Sequence, residues 1–357
     1  MRSVRGSAPQ LANLVPYDPK YLPAEAFLSA NENPHDVDQD IRHEIMREVK
    51  RLPLNRYPDP LANDLRDMIA EANGLDRDQV LVGNGGDELL FDMALAWGGP
   101  GRTFLNLPPT FSVYDNNARL TGTTVVDVPR CADYSIDEDA VLARVAQGDI
   151  DYLVVTSPNN PTGQLASEAF ILKLLDCTDA LVMVDEAYFE FSRQTMRPYL
   201  DRHKNLVILR TLSKAFALAG LRCGFTLASA DIINVLMKVI APYPLSSPVA
   251  AIAAEALLPE GIAVMQERVT EICRNRQMLC DELQKLPLTE TVFPSKTNYI
   301  LVRFRDAERV FRSLWDEGII LRDQRKQRGL ENCLRITVGT RAECLRVIAA
   351  IAALEMP

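Results

Sequence analysis

The segment Thr211-Leu-Ser-Lys-Ala-Phe-Ala-Leu-Ala-Gly-Leu-Arg222 surrounds one lysine, Lys214, with small and apolar neighbours, sets two hydroxyls before it and one arginine after it. Burial disfavours an ammonium, so a lysine in such company sheds its proton readily and can attack carbonyl carbon. Thr211, Ser213 and Arg222 are donors suited to a phosphate. Pyridoxal phosphate (PLP) carries both an aldehyde and a phosphate, and Lys214 would take the first while its neighbours took the second. A short core-facing helix with one solvated charge uses the same residues, so this segment alone leaves both readings open.

Other stretches bear on the choice. Gly83-Asn-Gly-Gly-Asp-Glu88 precedes an apolar helical run from Leu89 to Trp97. Glycines there let backbone N–H groups approach an anion at a helix N-terminus, or they simply make a turn. Ser157-Pro-Asn-Asn-Pro-Thr-Gly163 is stiff, and Asn160, biased to an extended form before Pro161, could donate its amide to a phenolate oxygen. Asp185 closes the apolar run Leu181 to Val184 and must be paired or exposed at a site, because burying a lone carboxylate is costly. It would keep a pyridine nitrogen protonated, or it would cap a helix. Tyr188, three residues on, could reach the same phenolic oxygen as Asn160. Arg322 and Arg335 are either paired structural cations or bidentate anchors for carboxylate or phosphate.

These residues must be held by elements, and the pattern of the chain says which. From Val80 to Leu227 short β-branched runs alternate with helical stretches: residues 80–82, 103–105, 124–126, 152–155, 181–184, 206–209 and 223–226. Such alternation implies a mostly parallel sheet covered by helices, with ligands at the carboxyl ends of its strands. Beyond Pro248 the pattern changes. Met265, Val269, Ile272, Leu279 and Leu283 repeat at helical spacing, strands follow near 299–302 and 334–338, and Thr340 with Glu343 has capping-box spacing. The expected organisation is an N-terminal arm over 1–30, a large domain over 31–249 and a small α+β domain over 250–357.

Composition narrows the chemistry. The 357 residues carry 39 basic and 48 acidic side chains, a net charge of −9, which argues against a broad nucleic-acid surface and confines any phosphate site to a local pocket. Seven cysteines without a Cys-x-x-Cys pair suit reduced thiols in the cytoplasm, with neither disulfides nor a zinc site expected. His35, His43 and His203 are too far apart for a local metal motif, so no metal is expected and lysine and arginine should dominate the chemistry. The N-terminus lacks the apolar stretch of a secretory signal, and no apolar run reaches the about 18 residues of a membrane span.

Together these stretches resemble the fold-type-I PLP-dependent aminotransferases, and within them the histidinol-phosphate aminotransferases. The likeness runs from about Leu14 to the C-terminus. It is most specific over Arg210 to Arg222 and is supported by Ser157 to Gly163, Asp185 to Phe191, Ala241-Pro-Tyr-Pro-Leu-Ser246 and Cys333 to Thr340. The resemblance implies an α/β fold with a mostly parallel seven-stranded sheet in the large domain and a smaller C-terminal α+β domain. It implies that Lys214 bonds the cofactor aldehyde and then shuttles a proton, that Asp185 pairs with the pyridine nitrogen, and that Tyr188 and Asn160 bind the phenolic oxygen. Phe111 would stack on the ring where the family often has tyrosine, losing any hydroxyl bond. Gly86 and Asp87 by backbone, with Thr211, Ser213 and Arg222, would hold the phosphate. Tyr57 would reach the cofactor of a second subunit, so a homodimer is expected. Tyr17, Asn31, Arg322 and Arg335 would contact substrate. The implied reaction converts L-histidinol phosphate and 2-oxoglutarate to imidazole acetol phosphate and L-glutamate, in L-histidine biosynthesis. Alternatives are an aromatic amino acid aminotransferase, a threonine-phosphate decarboxylase of the same fold and a PLP-fold transcription regulator. The last would need a DNA-binding module, for which the arm is too short.

Overall fold

The apolar runs between Val80 and Ala228 assemble into one seven-stranded sheet, in a computed structural model that describes residues 24–354 together with Gly6 and Leu11. The strands are β2 (Val80–Gly83), β3 (Thr103–Asn106), β4 (Thr124–Asp127), β5 (Tyr152–Thr156), β6 (Leu181–Asp185), β7 (Leu206–Thr211) and β8 (Gly224–Ala228), preceded in the chain by β1 (Ala26–Leu28). Their order is β2-β8-β7-β6-β5-β3-β4. All neighbours are parallel except β8, which runs antiparallel to both β2 and β7. Every residue of β5 and β6 is buried, as continuous apolar runs require when helices cover both faces. Leu153, Val155, Val182 and Val184 face one layer of core, while Tyr152, Val154, Leu181 and Met183 face the other.

β3 has β4 on one side and β5 on the other, so the connections leave in opposite directions at that point. A crevice opens at the carboxyl ends of strands flanking such a reversal, which is where the segments after β3, β5, β6 and β7 converge.

The second sheet contains β9 (Thr289–Val292), β10 (Tyr299–Phe304), β11 (Ile319–Asp323) and β12 (Cys333–Thr337) in the order β1-β11-β12-β10-β9. Its edge strand comes from the other end of the chain: β1 pairs in parallel with β11, Ala26 opposite Ile319. The helix Pro259–Leu283 buries Met265, Val269, Ile272, Leu279 and Leu283 against this sheet. The preceding helix, Ser247–Ala256, buries Ala253 and Ala256 in the core of the large sheet instead. Thr340 and Glu343 form the expected capping box on the helix Arg341–Ala353.

Two boundaries differ from expectation. The helix expected to begin at Leu89 begins at Gly85, because Glu88 turns back to accept from the Asn84 N–H and draws the glycines into the first turn. The strand expected at Cys223 begins at Gly224.

Candidate active site

Lys214 lies in an irregular turn after β7, with its Nζ donating to the Ala30 carbonyl at 3.2 Å. Burial, with the nearby Arg335 guanidinium as second cause, pushes its amine down to about 8. A neutral, nucleophilic amine is therefore well populated at mildly alkaline pH.

Asp185 ends β6 and is 4% exposed. Its Oδ1 accepts from the Ala187 N–H at 2.9 Å and its Oδ2 from the Tyr114 hydroxyl at 2.6 Å. Burial pushes this carboxyl up while those two hydrogen bonds pull it back. It is not a helix cap, since Tyr188 occupies the N-cap of the helix Phe189–Ser192. The Tyr188 hydroxyl accepts from Asn31 Nδ2 at 2.8 Å, and burial raises the phenol to about 12, so it keeps its proton for a further acceptor. Asn160 accepts from Arg335 Nη1 at 2.6 Å through Oδ1, which leaves Nδ2 as its donor end.

The phosphate-type donors gather at the start of the helix Gly85–Trp97. Thr211 Oγ1 donates to Ser213 Oγ at 2.9 Å, Arg222 Nη1 reaches Ser213 Oγ at 3.5 Å, and Arg222 Nη2 pairs with the Asp87 carboxylate at 2.9 Å. Two glycines make the approach possible. A Cβ on Gly224 would stand 2.8 Å from the Gly85 carbonyl carbon and the Gly86 nitrogen. Gly85 sits at φ +79°, where a Cβ would stand 2.5 Å from Arg222 Nη2. An arginine and two hydroxyls thus gather beside the backbone N–H groups at a helix N-terminus, a setting that suits an anion.

Phe111 follows β3, half-buried, with its ring edge-on to Tyr114 at 5.6 Å. On the second sheet Arg322 and Arg335 are direct cross-strand partners on β11 and β12. Like charges placed so are unfavourable unless an anion or counter-charge lies near both. Arg335 is 7% exposed, donates to the Ser29 carbonyl as well as to Asn160, and lies over the Tyr299 ring at 5.3 Å.

Hydrogen bonds and one ion pair therefore join Asn31 to Tyr188, Asn160 to Arg335, and Thr211, Ser213, Arg222 and Asp87 to one another, while the charge of Lys214 is felt by Asp185 and that of Arg335, Asp87 and Arg222 by Lys214. Tyr57 stands apart: 82% exposed, it stacks on Tyr243 with centroids 4.6 Å apart. Tyr17 lies outside the described residues. Two participants escaped the sequence analysis. Tyr114 bridges Asp185 and Thr156, and the fully buried Asn159 binds Thr110, Pro109 and Thr162 and accepts from the Tyr299 hydroxyl at 2.6 Å. Only the adjacency of Asn159 to Asn160 in a Pro-bounded loop hinted at the second.

Residues 26–351 match the family model for aminotransferase class I and II. A histidinol-phosphate aminotransferase of Escherichia fergusonii is 47% identical over 333 residues, 92% of this chain and 91% of that one. A putative histidine biosynthesis bifunctional protein of Photorhabdus laumondii is 48% identical over 335 residues, but the chain spans only 40% of its length. Among solved structures, the histidinol-phosphate aminotransferase of Sinorhizobium meliloti in complex with pyridoxal-5'-phosphate superposes with a TM-score of 0.88 over 99% of this chain and 98% of that one. At 23% identity it is a likeness of fold. On its own sequence and on the family match, this chain belongs to the class I and II aminotransferases.

Proposed function

We propose that this chain is a PLP-dependent histidinol-phosphate aminotransferase, moving the amino group of L-histidinol phosphate to 2-oxoglutarate to give imidazole acetol phosphate and L-glutamate in L-histidine biosynthesis. The carrying observation is the buried Lys214 amine, brought to about 8 between an anion cradle and the carboxyl-bearing end of β6. The names of two histidinol-phosphate aminotransferases at 47–48% identity support the substrate.

The residues present fit the cofactor. The cradle where a Cβ on Gly85 or Gly224 would collide suits its phosphate, held by the N–H groups of Gly86 and Asp87 with Thr211, Ser213 and Arg222. Asp185, kept in place by Tyr114, suits its ring nitrogen; Tyr188 and Asn160 donors suit its phenolic oxygen; Phe111 suits a ring face. When bound, PLP supplies an aldehyde that captures the substrate amine and a protonated ring that draws electron density from the α-carbon. Lys214 Nζ, neutral, takes the α-proton and as the ammonium holds it for return. Arg322 and Arg335 fork onto the anion of either substrate, a phosphate or a carboxylate, which lets one cationic pair serve both half-reactions. Tyr17 and Asn31 complete the substrate contacts.

The enzyme works as a homodimer in the cytoplasm. Supporting the first, the helix Gln39–Arg51 buries none of its residues within the chain, while Met46, Leu54, Tyr57 and Tyr243 expose apolar surface, which suits Tyr57 reaching the partner's cofactor. Supporting the second, all seven cysteines are free, and among the described residues no single helix is long and apolar enough to cross a membrane.

The test is a single half-reaction. PLP-loaded protein mixed with histidinol phosphate alone should convert its cofactor to pyridoxamine phosphate. Faster conversion with phenylalanine would favour the aromatic aminotransferase, and carbon dioxide from threonine phosphate would favour the decarboxylase.

A further inference from the structure

The ladder between β7 and β8 ends at Leu212, whose N–H donates to the Cys223 carbonyl at 3.0 Å, and the turn that carries Lys214 lies beyond it, in neither sheet. Ala215 packs in the core of the second sheet, and two hydrogen bonds reach Lys214 and Ala215 from the segment after β1. Ala30 offers its carbonyl to Lys214 Nζ at 3.2 Å, and three residues later Asn33 Nδ2 donates to the carbonyl of Ala215 at 3.0 Å. The amide of Asn33 has one orientation, because its Oδ1 accepts from the His35 N–H at 3.0 Å and only Nδ2 can face Ala215. Ala215 is wholly buried, so water does not substitute for that donor. The segment is itself fixed to the second sheet: Asn31 N–H donates to Thr337 Oγ1 at 3.0 Å, and Asn298 Nδ2 donates to the Asn31 carbonyl at 2.9 Å.

We propose that Asn33 is a positioning residue for Lys214: its side-chain amide pins the peptide next to the lysine, and with the Ala30 carbonyl it sets where Nζ points. The lysine is thus gripped at both ends by one short segment, whose own place is set by the small sheet. Proton transfer by a held base depends steeply on geometry, and a displacement of about 1 Å can lower a rate by about 100-fold. Both ends of the Asn33 amide are spent on Ala215 and His35, so Asn33 acts through Lys214. The inference rests on Lys214 being the cofactor lysine.

The test uses Asn33→Leu, which keeps the branched shape, removes the donor and introduces no charge, with Asn33→Ala beside it should the larger leucine not fold. Around Lys214 the cations Arg335 and Arg222 oppose its protonation while Glu32, Asp87 and Asp185 favour it, and neither variant alters these. In cofactor-free protein, competitive labelling with an amine reagent and mass spectrometry gives the pH midpoint of Lys214 reactivity. The midpoint should lie near 8 in the wild type and rise toward the ordinary 10.5 in the variants, as the loosened turn lets water reach Nζ. In loaded enzyme kcat should fall about 10- to 100-fold with KM within about twofold. A wild-type midpoint and kcat in a folded Asn33 variant overturn the inference. Wild-type protein that binds no PLP overturns the functional reading instead.

Discussion

Lys214, the base in the proposed function, sits in a fold that works against its charge. The ammonium is penalised by burial, so Lys214 subtracts stability fully below about pH 8, and the penalty fades between about 8 and the ordinary 10.5. The same shift governs chemistry: the rate at which cofactor-free protein captures PLP should rise with pH to a midpoint near 8, read from the growth of the imine absorption band. A midpoint near 10.5 would remove burial as the activating cause. Lys214→Ala should lower transamination by about 10⁴-fold, measured in single-turnover mixing with histidinol phosphate. The sequence singles out Lys214, Asp185 and Asn160 as candidates because each follows an apolar strand run, although the settings of Lys214 and Asp185 also admit a structural use. Tyr114 is not singled out, because its purpose is a contact with Asp185, 71 residues away. No local pattern records such a contact.

At the scale of elements, the seven strand runs and the long helix Pro259–Leu283 could be read from periodicity, while the start of the helix Gly85–Trp97 could not. Glycine is a poor helix former, and only the Glu88 bond back to Asn84 admits Gly85 and Gly86 to the first turn. Gly224 is the complementary case, a glycine inside a strand demanded by the cradle beside it. Gly224→Ala should therefore weaken PLP binding and cost about 1–3 kcal/mol of stability, measured by fluorescence titration and urea unfolding. Unchanged affinity would mean that the cradle tolerates a Cβ. Farther along the same helix, Asp92 Oδ2 is buried without a partner among the described residues, and burial, then Glu88, raises its carboxyl to about 7. The folded chain then holds a proton between about pH 4 and 7 that the unfolded chain releases, so stability falls as pH rises through that window. Asp92→Asn should gain on the wild type between pH 5 and pH 8, by on the order of 1–3 kcal/mol, in thermal unfolding at the two pH values. An equal difference at both would show that Asp92 is ionised throughout.

The whole molecule carries a face that a single chain leaves uncovered, around the helix Gln39–Arg51 and Tyr57. Sedimentation should give twice 39.8 kDa. Mixed, refolded Tyr57→Ala and Lys214→Ala chains should show more activity than the two homodimers together, since each mixed dimer holds one site with both residues intact. No recovery would place Tyr57 outside the partner's site. The change of pattern after Pro248 could be read from the sequence, but that Ala26–Leu28 completes the second sheet could not, because pairing between residues so far apart leaves no periodic trace. That strand has a consequence for how the protein is made. The large sheet lies between Val80 and Ala228 and can close while the ribosome is still translating. The amino-terminal strand must wait for β11, and Asn31 for Thr337, before either finds its partner. The grip on Lys214 is thus completed only at the end of synthesis, and a nascent chain stalled before β11 would carry the lysine without the segment that holds it.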